Sequence, residues 1–103
     1  MYTRAQAEVQ LAKVRPLLED LQRRVTAYRR RPTDPVAREV EALLREIVEL
    51  GAEVKDPDRG LIDFRSLMRG REVYLCWQLG EGDHIAFWHD LETGFAGRKI
   101  IED

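Results

Sequence analysis

The side chains best suited to chemistry in this 103-residue chain lie in and just before the stretch Gly70–Asp90. That stretch holds the only cysteine, Cys76, and both histidines, and Asp63 precedes it. Asp63 could orient His89 as a general base, or Asp63, His89 and Cys76 could together ligate a metal ion. A carboxylate bonded to a histidine also satisfies polar groups inside a small core, and this structural interpretation is the more common one. The catalytic and the metal-binding alternatives both stay open.

Motifs that would name a reaction or a cofactor are absent from the sequence. It contains no H-E-x-x-H, no paired C-x-x-C, no G-x-S-x-G, no P-loop and no dinucleotide fingerprint. A cysteine nucleophile needs an accessible thiol with a lowered pKa, whereas Cys76 lies within an apolar run and is expected to be buried. No motif therefore indicates a cofactor, although the residue types allow a metal ion.

The candidate residues can meet only if their strands pair in the right register. Residues 81–82, Glu-Gly, predict a two-residue hairpin turn, because glycine supplies the positive φ that such turns require. This turn pairs Tyr74 with His89 and Cys76 with Phe87 on one face of the hairpin. A one-residue slip would move these side chains to the other face, so the predicted site depends on the turn.

A further strand, Leu61–Phe64, is expected to pair with the first strand of this hairpin, with Arg65 opposite Glu72. Asp63, Tyr74 and His89 then form one row across three strands. We call this side of the sheet the mixed face; as the candidate ligand or partner surface it comprises Asp63, Tyr74, Cys76, Phe87 and His89. The opposite face is more apolar and should pack against the helices; it comprises Ile62, Phe64, Val73, Leu75, Trp77, Ala86 and Trp88.

A second polar group, Glu81, Asp83 and His84, lies at the predicted hairpin tip. About seven residues of strand separate it from the row of Tyr74 and His89, on the order of 20 Å, so the two groups cannot share one ion. Charged side chains in turns are usually solvated, and these three are expected to be exposed.

The first half of the chain predicts an antiparallel helical hairpin over residues 3–50. Thr3 and Gln6 form a capping-box pattern, after which apolar residues recur at spacings of three and four. The second helix opens at Asp34 with an N-cap acid and a following proline. The helical hairpin is expected to bury its apolar seam between the two helices.

Pro16 predicts a kink or break in the first helix near Lys13 to Arg15, because proline removes a hydrogen bond and clashes with the preceding turn. The shorter second helix can cover only the later part of the first. Residues 3–15 are therefore expected to pack on the β region or on a second copy of the protein.

Residues 52–101 predict a small antiparallel sheet, because short apolar runs there alternate with turn residues. Residues 52–55 form a first strand and residues 56–60 a turn, whereas residues 95–101 form either a last strand or an irregular arm. The predicted fold class is α+β, an antiparallel helical hairpin packed on a small antiparallel β-sheet, in one domain that spans residues 1–103.

Composition indicates a folded protein of the cytosol. Apolar residues make up 44 % of the chain and charged residues 35 %, which excludes a disordered chain. A single cysteine permits no internal disulfide and suits a reducing compartment. No apolar segment approaches the length that crosses a bilayer, so a cytoplasmic protein without a membrane partner is expected.

Charge is unevenly distributed along the chain. The net charge is −2, but residues 1–50 carry ten basic and eight acidic side chains and residues 51–103 carry seven and eleven. Five arginines between Arg23 and Arg31 could contact phosphates. An arginine cluster whose interleaved aromatic residue, Tyr28, lies on the core seam is more typical of a solvated helix end. Polyanion binding through Arg23–Arg31 is therefore a second alternative function, and nucleic acid is not an expected partner.

Four motifs follow one another over about forty residues of the C-terminal half. They are Gly-Leu-x-Asp-Phe from Gly60, Gly-Arg-x-Val-x-Leu-Cys-Trp-x-x-Gly-Glu from Gly70, Trp88-His89, and Gly-Phe-x-x-Arg from Gly94. In these motifs the chain resembles a small bacterial family, domain of unknown function 2203, although Arg65 stands where relatives commonly have proline. The resemblance implies that the signature includes Asp63, Cys76, Trp77, Glu81, His89 and Arg98 but not His84; no role is known for Trp77, Glu81 or Arg98.

Taken together, these patterns favour a non-catalytic binding or protein-interaction module, with the mixed face and residues 3–15 as its contact surfaces. The long seam of the first helix and a hairpin that is apolar on both faces favour a homodimer. The main alternative is a metal-binding protein or a hydrolase-like enzyme that uses Asp63 and His89. The sequence does not specify the protein or small-molecule partner.

Light scattering of the purified protein tests the predicted homodimer. The expected molar mass is twice that of the chain, because an apolar seam without a partner would otherwise face water. A strict monomer at high protein concentration would contradict this prediction.

Overall fold

The computed structural model describes residues 1–102, which form two helices and a five-stranded antiparallel sheet. The strands lie in the sheet in chain order, which confirms the predicted α+β class. Neither helix in these residues combines the length and the apolarity needed to cross a membrane. The elements are α1 (Arg4–Arg30), α2 (Asp34–Glu49), β1 (Ala52–Asp56), β2 (Leu61–Met68), β3 (Arg71–Gln78), β4 (Phe87–Asp90), a 3-10 helix (Phe95–Gly97) and β5 (Lys99–Ile100).

Helix α1 is uninterrupted, so of the kink or break predicted near Lys13 to Arg15 the break is wrong. Its N terminus has the predicted capping box, in which Thr3 Oγ1 accepts from the Gln6 N–H and the Gln6 side chain accepts from the Thr3 N–H. Pro16 removes one backbone hydrogen bond, but Val14 and Leu18 on either side of it are fully buried. Packing of these side chains holds the helix together across the proline.

The N-terminal half of α1 packs on the chain's own sheet, which is the first of the two alternatives predicted for it. Leu11 and Val14 belong to the core that the helices form with the sheet. Two polar contacts fix this end of the helix: Arg4 Nε donates to the Ile85 carbonyl at 2.8 Å, and Glu8 accepts from the Ile85 N–H at 2.8 Å. The sheet of the same chain therefore covers residues 3–15, the segment for which packing on a second copy was the alternative.

Strands β2 and β3 are joined by a two-residue turn, Arg69-Gly70, in place of the longer connection that the sequence pattern predicts. Both residues have positive φ, 53° for Arg69 and 79° for Gly70, as type I′ turns require. Met68 therefore pairs with Arg71, and the ladder runs on from this pair to the far end of both strands.

This turn corrects the predicted pairing of β2 with β3 by two residues. Arg65 lies opposite Tyr74 rather than Glu72, and Asp63 lies opposite Cys76 rather than Tyr74. Because side chains alternate along a strand with a period of two, a two-residue error leaves every side chain on its predicted face.

The pairing of β3 with β4 agrees with the prediction. Tyr74 pairs with His89 and Cys76 with Phe87, although the connection is not the tight turn at Glu81-Gly82. Residues 79–86 form an irregular loop between the strands instead.

The loop of residues 79–86 changes which side chain enters the core. Gly82 has a positive φ of 89°, and its carbonyl accepts from Trp77 Nε1 at 3.1 Å. Ile85 is buried in the core, whereas Ala86, predicted to face the helices, is exposed. The rest of the opposite face packs towards the helices or is buried as predicted: Ile62, Phe64, Val73, Leu75, Trp77 and, partly buried, Trp88.

The Arg69-Gly70 turn generates a stability prediction. Left-handed backbone is unfavourable for arginine, whereas asparagine adopts it readily and is preferred at this turn position. Arg69→Asn is therefore expected to raise the free energy of unfolding by up to about 1 kcal/mol, measured by urea denaturation. Arg69→Gln removes the same charge without easing the backbone and should give no gain; an equal gain from both variants would contradict the explanation.

Candidate functional site

The mixed face brings Asp63, Cys76 and His89 together in the protein interior. Cys76 lies between Asp63 on β2 and Phe87 on β4, and His89 lies opposite Tyr74. The exposed fractions are 2 % for Asp63, 0 % for Cys76 and 2 % for His89. Tyr74 is also buried, and Phe87 is half-buried. The three residues predicted as metal candidates thus form one cluster closed to solvent.

One proton is shared between Asp63 and His89. The Nδ1 atom of His89 lies 2.7 Å from the backbone carbonyl of Asp90, which can only accept, so Nδ1 carries a hydrogen. The Nε2 atom lies 3.0 Å from Asp63 Oδ2. Either Nε2–H donates to a carboxylate, or a protonated Asp63 donates to the neutral ring. In both states the pair has no net charge, and its two ligand atoms face each other.

Asp63 is only half satisfied by this contact. Its other oxygen, Oδ1, is buried and has no hydrogen-bond partner of good geometry among residues 1–102, although the Cys76 thiol is close enough to lower the pKa of Asp63 as a weak donor. Burial raises the pKa of Asp63, while the charge and hydrogen bond of His89 act in the opposite direction. A buried polar atom without a partner requires an explanation, and a bound cation is one.

The Cys76 thiol is a poor nucleophile in this environment. Burial raises its pKa to about 12, the nearby Asp63 carboxylate acts in the same direction, and Arg98 acts against both. At neutral pH the sulfur therefore carries its proton, which does not suit a free nucleophile.

Tyr74 makes its polar contacts away from the buried cluster. Its hydroxyl donates to Glu53 at 2.9 Å and accepts from Arg65 at 3.3 Å. Lys55 and Arg65 each lie over its ring, at 4.5 and 5.1 Å from the centroid. The ring packs beside His89, with centroids 5.4 Å apart. Tyr74 thus packs against the cluster and adds no ligand to it.

Glu81 and Arg98, signature residues of unassigned role, cover the site over Cys76. Both terminal nitrogens of Arg98 bond to the Glu81 carboxylate, and Nη1 lies 3.9 Å from Cys76 Sγ. The guanidinium carbon lies 3.8 Å from the Phe87 ring centroid and 4.3 Å from that of Phe95. Glu81 was predicted to be exposed, which is wrong: Arg98 reaches it from the C-terminal arm and leaves its side chain only 17 % exposed.

The other two residues of the predicted tip group are exposed, as expected. Asp83 pairs with Arg15 at 2.6 Å, and His84 Nδ1 lies 3.4 Å from Glu8. Asp83 and His84 thus have partners outside the buried cluster, whereas Glu81 is linked to Cys76 through Arg98, so the predicted separation of the two polar groups holds only for Asp83 and His84.

The arginines near the tip of the helical hairpin pair largely with acids of the same chain. Arg23 and Arg24 contact Asp20, and Arg29 contacts Asp58. These pairs reduce the positive charge that a polyanion would meet.

The buried cluster has the donor set and the spacing of a metal site. Ligand atoms of Asp63, Cys76 and His89 all lie within 4.8 Å of one another. Around a tetrahedral Zn²⁺ with bonds of about 2.0–2.3 Å such atoms are roughly 3.3–3.6 Å apart, so an ion would draw the widest pair together by about 1 Å. A His Nδ1–H held by a backbone carbonyl is the usual outer contact of a histidine that binds metal through Nε2.

The buried carboxylate of Asp63 predicts the direction in which Asp63→Asn changes the free energy of unfolding and how this change depends on pH. Because its pKa is raised in the folded state, its favourable contribution is complete below the unfolded value of about 3.9 and is lost as pH rises through the folded value. Asp63→Asn still bonds to His89 but carries no charge. It is expected to raise the free energy of unfolding at pH 7 by on the order of 1 kcal/mol, with a smaller gain near pH 4.

Two variants serve as controls for this prediction in chemical denaturation. Asp63→Ala leaves His89 without its partner and should lose about 1–3 kcal/mol. Asp83→Asn removes an exposed charge and should change little. A less stable Asp63→Asn protein at pH 7 would show that the ionised carboxylate supports the fold.

Comparison with known protein families matches residues 3–101 to the family described as Uncharacterized conserved protein (DUF2203). Comparisons with curated proteins and with solved structures gave no match. The family match covers nearly the whole chain and so includes the helical hairpin, beyond the motifs of the C-terminal half. The chain therefore belongs to the DUF2203 family.

Proposed function

We propose that this protein is a bacterial cytosolic metal-binding protein, in which Asp63, Cys76 and His89 hold one zinc-like divalent ion in a non-catalytic role. The observation that carries the proposal is the buried Asp63 carboxylate, which has one oxygen without a partner and lies beside a thiol and an imidazole nitrogen. A reducing cytosol would keep the single cysteine available as a ligand.

Charge balance supports a divalent ion. On binding, the ion would replace the proton shared by Asp63 and His89 and the proton of the Cys76 thiol. A carboxylate and a thiolate then neutralise the two positive charges, and the imidazole adds a neutral ligand. A neutral buried centre avoids the cost of an uncompensated charge in the interior.

The donor atoms favour zinc among the common divalent ions. One sulfur, one nitrogen and one oxygen form a mixed set that Zn²⁺ accepts in tetrahedral sites, whereas Mg²⁺ and Ca²⁺ prefer oxygen ligands. Three protein ligands leave a fourth position, which a water or another small ligand would fill.

Burial and hydrogen bonding support a non-catalytic role over the hydrolase-like alternative. A general base needs one ring nitrogen directed at its substrate, but His89 uses one for the Asp90 carbonyl and the other for Asp63. All three ligand residues are also buried, with at most 2 % of each exposed, so a substrate would have no direct approach.

The homodimer stays a separate prediction. The N-terminal half of α1 is occupied by the chain's own sheet, so support now comes from exposed apolar side chains such as Val9, Val48 and Leu67. Metal binding needs no second copy, because all three ligands belong to one chain.

Metal analysis tests the proposed function. Protein purified without a polyhistidine tag is stripped with a chelator and titrated with Zn²⁺ and with Co²⁺, whose absorption reports tetrahedral thiolate coordination. One ion per chain is expected. Asp63→Asn, Cys76→Ala and His89→Gln should each weaken binding by more than about 100-fold, since even outer contacts of metal ligands account for about 10–100-fold.

His84→Gln is the matched control, because it removes a histidine that is 81 % exposed and lies outside the cluster. It should bind as the wild type does. No saturable binding by the wild type, or unchanged binding by the three ligand variants, would refute the proposal.

A further inference from the structure

We infer that Arg98 is the positioning residue of the metal-bound sulfur: fixed by Glu81, its guanidinium donates an N–H to the Cys76 thiolate and keeps that sulfur directed at the ion. The inference rests on the proposed function and assigns roles to two signature residues that the family resemblance leaves without one.

The guanidinium of Arg98 is held rigidly above the site. It lies over the ring of Phe87, which neighbours Cys76 across the strands, and over the ring of Phe95 from the 3-10 helix. Its side chain is only 15 % exposed. A planar cation in contact with two aromatic rings gains cation–π attraction and loses little further freedom when it forms a hydrogen bond.

Glu81 connects this guanidinium to the strand that carries the cysteine. Its carboxylate accepts from both terminal nitrogens of Arg98, and one of its oxygens also accepts from the Gln78 N–H at 3.0 Å. Gln78 is the last residue of β3, two positions after Cys76. The contacts therefore form a closed chain from Cys76 through β3, Glu81 and Arg98 back to the sulfur.

The hydrogen bond between Arg98 and Cys76 becomes stronger when the sulfur binds a metal. A thiol is a weak acceptor, whereas a metal-bound thiolate keeps much of its negative charge and accepts N–H donors. Arg98 Nη1 is already 3.9 Å from Sγ, within reach of a hydrogen bond to sulfur. Because Glu81 neutralises Arg98, the donor stabilises the thiolate without adding net charge beside the ion.

Arginine is the side chain that can perform both tasks. Its fork bonds the Glu81 carboxylate through two nitrogens and still offers an N–H to Cys76, whereas lysine has a single nitrogen. Lysine at this position would keep the cation but would lose the second nitrogen that bonds Glu81 and the planar fork that fixes the direction of the donor.

Arg98→Gln and Arg98→Lys test the inference in the cobalt-loaded and zinc-loaded protein. In Arg98→Gln a neutral, shorter amide replaces the charged guanidinium donor, which should weaken metal affinity by about 10–100-fold, measured by competition with a chelator. It should also move the sulfur-to-cobalt charge-transfer band to longer wavelength, because a thiolate without its donor gives up an electron more easily. Arg98→Lys should recover part of the affinity, and Glu81→Gln should show a smaller loss than Arg98→Gln.

Arg59→Gln is the matched control. The Arg59 guanidinium also stacks on Phe95, at 4.7 Å, but it belongs to the turn between β1 and β2 and makes no hydrogen bond to Cys76. It should change neither the affinity nor the band, which separates the donated hydrogen bond from general packing around Phe95.

The outcomes distinguish this inference from the metal site itself. If the wild type binds the ion and Arg98→Gln binds it equally well with the same band, Arg98 does not position the sulfur, although the metal site stands. If the wild type binds no ion, the proposed function fails and the inference with it. Should Arg98→Gln not fold, as judged by circular dichroism, Arg98→Lys decides the matter. A band at longer wavelength in Arg98→Lys supports the inference, and an unchanged band contradicts it.

Discussion

The contact between Asp63 and His89, closed off from water, is the interaction on which the rest of this structure depends. The two residues lie on β2 and β4, with β3 between them, so they meet only if both pairings of β3 place them on one face. The Asp90 carbonyl fixes the tautomer of the histidine and directs its other nitrogen at the carboxylate. From this geometry follow the shared proton, the free carboxylate oxygen and the nearness of Cys76.

A buried cluster of carboxylate, thiol and imidazole contributes less to the stability of a core than uncharged or apolar side chains would. An asparagine would satisfy His89 without a buried charge, and an apolar side chain could replace the Cys76 thiol. Functional sites commonly retain groups that lower stability, because the groups are needed for binding. The proposed site would likewise account for Arg98, which is costly to bury and lies 3.9 Å from the sulfur with Glu81 as its partner.

The sequence predicts correctly which side chains share the mixed face, but it predicts less well which residues lie opposite one another on neighbouring strands. Alternation of side chains and the pairing of Tyr74 with His89 are readable from the pattern, and so is the face that packs on the helices. The pairing of β2 was displaced because residues 69–70, Arg-Gly, do not resemble the Asn-Gly of common tight turns. The contact of Arg98 with Glu81 joins residues 17 positions apart through an irregular loop, which no periodicity reports. For that pair the family signature was the only signal.

X-ray absorption at the zinc edge of the loaded protein tests the central claim most directly. The account predicts one sulfur neighbour at about 2.3 Å and nitrogen or oxygen neighbours at about 2.0–2.1 Å, with the sulfur absent from the spectrum of Cys76→Ala. A zinc surrounded only by nitrogen and oxygen in the wild type, or a sulfur signal that survives in Cys76→Ala, would contradict it.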